Sequence, residues 1–272
     1  MNDGYELLDS GGGRKLERFG RFVLARPCSQ AMWKPSLPES EWNRADASFD
    51  REDGNRWHGR GNLPKEWTME TAGIKFNLGG TDFGHLGIFP EQRAQWKWIM
   101  EALRASPGAK VLNLFAYSGG STLAAALAGA EVCHLDASKG MVEWARRNAA
   151  LNGLDSIRWI VDDAHKFMRR EIRRGRRYDA IVLDPPTFGR GASGEMYKIE
   201  RSLQETLDLA SSLLSERPVF VLFSSHTPGL TCKVAENILR QRFPAARLES
   251  GEMLLEGRGT PCPSGIFCRV VF

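Results

Sequence analysis

No Cys-x-x-Cys pair occurs among the five cysteines of this 272-residue chain. An odd count without paired spacing supports neither a disulfide framework nor a zinc ribbon, and it predicts a reduced, cytoplasmic protein that holds no metal. No apolar run approaches the roughly 18 residues of a membrane helix, so no membrane role is expected. Met1 to Ser10 carries three acidic side chains and no apolar core, which predicts no signal peptide. Neither sign of charge dominates: 37 basic against 33 acidic residues leave +4. That balance permits a nucleic-acid partner without requiring one. Hydrophobic residues at 42% and charged residues at 26% exclude a disordered or collagen-like chain.

What is present changes character near residue 83. Residues 1–83 are rich in turn formers, with Ser10-Gly11-Gly12-Gly13, Pro35, Pro38, Gly59, Gly61 and Pro64. Short β-like runs such as Phe22-Val23-Leu24 and Ile74 to Leu78 lie between them. Four of the eight tryptophans fall here, and aliphatic residues are few. A small β-rich N-terminal appendage with little core of its own is expected, docked on a larger domain spanning 84–272.

In 84–272 strands and helices alternate. Helices are expected over Pro90 to Leu103, Ser121 to Ala128, Ser138 to Leu151, Ala164 to Arg174, Met196 to Leu214 and Leu230 to Arg242. Strands are expected over Lys110 to Phe115, Glu131 to Asp136, Ile157 to Val161, Tyr178 to Asp184 and Val219 to Ser224. This is the α/β pattern of a parallel sheet with helices on both faces. The last runs, Ala246 to Leu254 and Ile266 to Phe272, have no helix between them and should pair antiparallel.

Ligands of such sheets bind outside the carboxyl ends of the strands. The first strand enters the turn Asn113-Leu-Phe115-Ala116-Tyr117-Ser-Gly119-Gly120 and then a helix. Glycines there allow a close approach, and a helix N-terminus offers N–H groups to an anionic ligand part. The same residues equally suit a tight strand–helix turn. Asp136 ends the second strand, where a carboxylate can accept two ribose hydroxyls, while Asp136 or Ser138 can also cap the next helix. Asp162-Asp163-Ala164 ends the third strand, placed either to accept the amine of an adenine or to cap a helix. The fourth strand ends Asp184-Pro185-Pro186-Thr187-Phe188. Two prolines halt a strand and fix its exit, which leaves Asp184 and nearby carbonyls as acceptors for a planar base. Phe188 can stack on that base.

These segments together resemble the class I S-adenosylmethionine-dependent methyltransferases, nearest to the ribosomal large-subunit RNA methyltransferases of the cytosine-5 and guanine-N7 group. The likeness runs over 84–272, on Phe115-Ala-Tyr-Ser-Gly-Gly, Asp136, Asp163-Ala164, Asp184-Pro-Pro-Thr-Phe and Ser264-Gly-Ile-Phe-Cys-Arg-Val. It implies a Rossmann-like seven-stranded sheet with an antiparallel last strand, S-adenosyl-L-methionine as cofactor and an RNA substrate. The segment Gly84-His-Leu-Gly-Ile-Phe89-Pro-Glu-Gln92-Arg93 resembles that group's cofactor-bordering stretch and adds Phe89, Gln92 and Arg93 to the cofactor residues. The resemblance also reads Leu8 to Gly20 as part of a reduced N-terminal RNA-binding module.

One departure sets the chemistry. Cytosine-5 methylation needs a thiolate, which that group places in a Ser-Cys-Ser-like turn after the fifth strand. Here the stretch is Phe223-Ser-Ser-His226-Thr-Pro-Gly. A base nitrogen, guanine N7 or an exocyclic amine, is therefore the expected acceptor. A relocated cysteine, a protein or small-molecule acceptor, and an RNA-binding protein on an inactive scaffold are the alternatives. A nicotinamide oxidoreductase is disfavoured, because no Gly-x-Gly-x-x-Gly follows the first strand. His226 suits a solvated loop, contact with the target base, or a base near neutral pH, and His85 has a similar status. His58 and His165 carry no signal. Arg169 to Arg177 holds six arginines, fit for phosphates or for a solvated helix end.

Overall fold

The computed structural model describes residues 4–51, 54–190, 194 and 196–272; residues 1–3, 52, 53, 191–193 and 195 lie outside that description. It divides into two compact units, Met1–Ala94 with Met253–Ser264, and Gln95–Glu252 with Gly265–Phe272. The sequence changes character about ten residues earlier, and nothing in its composition marks 253–264 as a return to the first unit.

In the first unit β1 (Tyr5–Gly11), β2 (Arg14–Phe19) and β3 (Phe22–Pro27) form an antiparallel meander. The β1–β2 turn needs two left-handed residues, which Gly12 (φ 58) and Gly13 (φ 75) supply. After the short helix α1 (Glu39–Trp42), β4 (Ala47–Asp50) joins β3 in parallel and β5 (Arg56–His58) completes a five-stranded sheet. A separate hairpin pairs β6 (Trp67–Thr71) with β7 (Ile74–Leu78). Leu7, Phe19, Leu24, Ile74, Phe76 and Leu78 are all buried. Aromatic rings supply the volume that the few aliphatics do not, through edge contacts Tyr5–Phe19, Phe22–Trp67 and Phe49–Trp57. Buried charge is paired: Glu17 accepts from Tyr5 Oη at 3.0 Å and from Arg26 Nε at 2.8 Å. Segment 253–264 lies along β1, with Leu7 N donating to Glu256 O and Arg258 N to Leu7 O. A Cβ at Gly257 would sit 2.1 Å from the Leu7 carbonyl, so only glycine fits there.

The second unit is the larger. Helix α2 (Arg93–Leu103) leads into β8 (Lys110–Leu114), α3 (Gly120–Leu127), β9 (Glu131–Asp136), α4 (Lys139–Leu151), β10 (Ile157–Val161), α5 (Ala164–Arg173) and β11 (Ala180–Leu183). A hairpin of β12 (Phe188–Arg190) and β13 (Met196–Lys198) precedes α6 (Ile199–Ser212). Then come β14 (Phe220–Ser225), α7 (Cys232–Arg242), β15 (Arg247–Leu255) and β16 (Cys262–Val271). The sheet order is β10-β9-β8-β11-β14-β16-β15. Strands β10, β9, β8, β11 and β14 are parallel, and β16 runs antiparallel to β14. This is the expected Rossmann-like seven-stranded α/β sheet. Strands β11 and β14 are buried along their whole length, as strands covered on both faces must be. The chain builds outward from β8 in one direction and from β11 in the other, so the crevice between them is the switch point where ligands bind.

One element departs from the sequence expectation. Met196–Lys198 is a strand, not the first turn of the helix that follows. Tyr197 pairs with Gly189 across the hairpin, and Ile199 N donates to Thr187 O, which closes the hairpin before the helix starts.

Candidate functional site

The carboxyl edge of the second unit's sheet gathers most of the expected residues. After β8 the chain makes a strained turn in which Phe115 (φ 56) and Tyr117 (φ 51) are left-handed without being glycine. Such conformations persist only where surrounding bonds impose them. Here Ala116 N donates to Leu135 O at 3.0 Å, and Tyr117 N donates to Asp136 Oδ2 at 2.9 Å. The other Asp136 oxygen accepts from Ser138 N at 2.8 Å. Asp136 thus ties the two loops together, and Ser138 is the cap of α4. Burial pushes the Asp136 pKa up, opposed by those two backbone N–H groups.

The two glycines also answer to packing, as the tight-turn alternative expects. A Cβ at Gly120 would lie 2.5 Å from the Trp96 ring, and one at Gly119 would lie 3.1 Å from Ala145 Cβ. Gly119 also adopts φ 96. Both are glycine because helices α2 and α4 pack against them. Beneath the turn runs a buried polar chain. Asn113 Nδ2 donates to Thr122 Oγ1 at 2.9 Å, and that hydroxyl lies 2.9 Å from His134 Nδ1. Burial lowers the His134 pKa to about 3, so its ring is neutral. Asn148 Nδ2 donates to Ser118 O at 2.9 Å. Asn113 therefore serves the turn from below.

At the end of β10, Asp163 caps α5 by accepting from Lys166 N at 2.9 Å, and Ala164 behind it is buried. Asp162 pairs with Arg170. His165, without signal in the sequence, is part of a cluster. Its Nε2 lies 2.8 Å from Thr206 Oγ1, whose hydroxyl in turn donates to Ser202 O at 2.8 Å. Its ring meets Tyr197 edge-on at 5.9 Å, and Tyr197 meets Phe115 at 5.1 Å. Burial raises the Tyr197 pKa to about 12. The cluster joins the turn after β8 to the β12–β13 hairpin.

Strand β11 ends at Leu183, one residue before Asp184-Pro185-Pro186. Pro185 is buried, whereas Pro186 and Thr187 are exposed. Phe188 is 52% exposed. Across from it, at the end of β14, His226 Nδ1 stands 3.7 Å from Asp184 Oδ1. The hydroxyls of Thr187 and Thr227 meet at 2.9 Å. This half of the edge is thus lined by a carboxylate, an imidazole, two hydroxyls and an exposed aromatic ring.

Phe89, Gln92 and Arg93 belong to the first unit. Phe89 packs edge-on against His85, Gln92 is buried, and Arg93 stacks over Tyr5 at 4.6 Å. Of the six clustered arginines, Arg169, Arg170 and Arg174 are engaged with Glu205, Asp162 and Glu171. The stretch Gly189-Arg-Gly-Ala-Ser-Gly194 carries the letters of the dinucleotide pattern, but it begins inside strand β12, and residues 191–193 lie outside the described residues. Among the described residues no helix is long and apolar enough to cross a membrane, and no group of three side chains could hold a metal ion.

The β8–β10 half suits a nucleoside cofactor by the chemistry of its groups. Carboxylates at the ends of adjacent parallel strands face donors of two kinds on such a ligand, ribose hydroxyls and the adenine amine. Both Asp136 oxygens and Asp163 Oδ1 carry lone pairs beyond the single backbone bond each accepts.

The S-adenosylmethionine-dependent methyltransferase family matches residues 46–216. A crystal structure of a SAM-dependent methyltransferase from Agrobacterium tumefaciens superposes with a TM-score of 0.93 at 38% identity, covering 98% of this chain and 90% of that one. Ribosomal RNA large subunit methyltransferase I of Aeromonas hydrophila is 28% identical over 300 residues, 98% of this chain and 73% of its own length. Ribosomal RNA large subunit methyltransferase K/L of Shewanella frigidimarina is 34% identical over 162 residues, 55% of this chain and 21% of that protein. The chain spans only 44% of the Neisseria meningitidis K relative and 20% of a second Shewanella K/L relative.

Proposed function

Because this chain belongs to the S-adenosylmethionine-dependent methyltransferases, we propose that it moves the methyl group onto a base nitrogen of ribosomal RNA. S-adenosyl-L-methionine is its methyl donor and supplies an electrophilic methyl carbon on a sulfonium. In this reading Asp136 accepts the ribose hydroxyls, Asp163 and Ala164 border the adenine, and the turn from Asn113 to Gly120 supplies backbone groups to the rest. Phe89, Gln92 and Arg93 remain assigned to the cofactor on the strength of sequence resemblance alone.

Ribosomal RNA is proposed from the names of the relatives, and with it a cytoplasmic setting. Nitrogen is proposed from one observation: no thiol in the second unit is set up as a nucleophile. Burial raises the Cys133 pKa to about 11 and the Cys268 pKa to about 12, and it also raises that of Cys232. The stretch after β14 offers Ser224, Ser225, His226 and Thr227 instead. Attack on cytosine C5 requires a thiolate at C6, whereas a nitrogen needs only orientation beside the methyl carbon and a place for any proton. Asp184, the Pro185 carbonyl and a stacked Phe188 supply orientation.

The test is methylation of large-subunit ribosomal RNA with labelled donor, followed by digestion to nucleosides and mass spectrometry. Label in an N-methylated nucleoside is expected. Label in 5-methylcytidine, or a stable adduct with RNA containing 5-fluorocytosine, would contradict the nitrogen assignment.

A further inference from the structure

We propose that Cys28 and Cys262 form a peroxide-reactive thiol pair, and that their oxidation closes a reversible disulfide which clips segment 253–264 onto the sheet of the first unit. Neither residue has a part in the proposed methyl transfer, so the pair stands apart from the choice of acceptor atom.

The β1–β2 hairpin brings the two cysteines together from distant parts of the chain. Cys28 follows β3, and its N–H donates to Gly13 O at 2.7 Å, while Gly13 N donates to Ala31 O at 2.8 Å. Cys262 opens β16, two residues after Thr260, whose carbonyl accepts from Ser10 Oγ at 3.1 Å. The close approach of Gly257 to Leu7 anchors the same segment. These anchored backbones leave the sulfurs 3.1 Å apart, in hydrogen-bond contact, although the residues stand 234 positions apart in sequence. A disulfide of about 2.05 Å needs a closing movement of only about 1 Å.

The two thiols differ in the way a sensing pair requires. Cys28 is half-buried beside exposed Ser29 and Gln30, whereas Cys262 is fully buried. The hydrogen bond from the Cys262 thiol lowers the Cys28 pKa to about 6; Lys15 and the backbone at Ala31 and Gln30 add to that, and burial opposes it. The same bond, together with burial, pushes Cys262 up, so it keeps its proton. Cys28 is thus both the thiolate and the accessible sulfur. It attacks one oxygen of hydrogen peroxide, the O–O bond breaks, and its electron pair leaves on hydroxide, which takes a proton from solvent. Cys28 is oxidised to a sulfenic acid and the peroxide is reduced. The Cys262 sulfur then attacks the Cys28 sulfur. The S–S bond forms, the S–O bond breaks, and the departing hydroxide takes the Cys262 proton as water. Two thiols and one peroxide give one disulfide and two waters, and a dithiol reductant reverses the bond by exchange. Cys133, Cys232 and Cys268 have no such arrangement, and burial raises the pKa of all three.

The test uses the full chain, first reduced and then treated with an equimolar amount of hydrogen peroxide. Peptide mass spectrometry without reductant should find Cys28 joined to Cys262 within one molecule, and dithiothreitol should undo the bond. In Cys262→Ser, which keeps a hydroxyl donor, oxidation should stop at the Cys28 sulfenic acid and be trapped by dimedone. In Cys28→Ser, Cys262 should stay a thiol. The oxidised wild type should melt roughly 5–10 °C above its reduced form, because the new bond closes a very long loop. Both serine variants should lose that difference. A bond between other cysteines, a bond between two molecules, no bond at all, or an equal or lower melting temperature after oxidation would overturn the proposal.

Discussion

The two halves of the sheet's carboxyl edge are built on opposite plans. On the β8–β10 side the polar groups are tied to the backbone: Asp136 to Tyr117 and Ser138, Asp163 to Lys166, Asn148 to Ser118. On the β11–β14 side they are set against one another as side chains: Asp184 against His226, Thr187 against Thr227, with Phe188 standing exposed. A group bonded to backbone holds its place without a ligand, which is what an invariant cofactor needs. An exposed ring such as that of Phe188 can stack on a base, which is what recognition of a target needs. In the proposed reading the first half holds the cofactor and the second meets the acceptor.

The largest expected effect breaks the second half. Asp184→Ala should cut single-turnover methyl transfer on the order of 10²–10³-fold, because it removes an acceptor that positions the base in the transition state. Next comes the first half. Asp136→Ala should weaken binding of the cofactor or its demethylated product by about 10–100-fold in calorimetry, corresponding to roughly 1–3 kcal/mol for lost acceptors. Its melting temperature should fall as well, since Tyr117 N and Ser138 N lose their partner.

A third prediction separates packing from binding. Gly120→Ala drives a methyl group toward the Trp96 ring and should cost about 1–3 kcal/mol of stability, read in denaturant unfolding. If the turn had been glycine to admit a ligand, stability would be unchanged and only cofactor affinity would fall.

The smallest effect lies away from the edge. Glu171 is fully buried, which would raise its pKa, but Arg158, Tyr178 and Arg174 outweigh burial and hold it at about 2. A carboxylate held below its unfolded value adds stability above roughly pH 4.3 and loses it as pH falls through about 2. Thermal melts of the wild type should show a steeper decline between those values than melts of Glu171→Gln.

Much of this architecture was legible in the sequence because it rests on local signals. Glu131–Asp136 and Ile157–Val161 are apolar runs bounded by turn formers and were read to the residue. The prolines after Asp184 stopped β11 where proline chemistry requires. The missed parts depend on contacts distant in sequence. Met196–Lys198 has no strand signal of its own and becomes one by pairing with Phe188–Arg190. The return of 253–264 to the first unit rests on bonds between Leu7 and residues 256 to 259, nearly the whole chain away. His165 was unreadable because its partners, Thr206 and Tyr197, come from elements after the next strand. The glycine turn lies where the sequence places it, and the Trp96 ring gives Gly120 a steric reason that no local signal shows.

The division of the edge is tested most directly by cofactor calorimetry on Asp136→Ala and Asp184→Ala side by side. The account predicts that Asp136→Ala loses about 10–100-fold in affinity. It predicts that Asp184→Ala stays within about threefold of the wild type while its methyl transfer collapses. Equal losses of affinity in the two variants would contradict it.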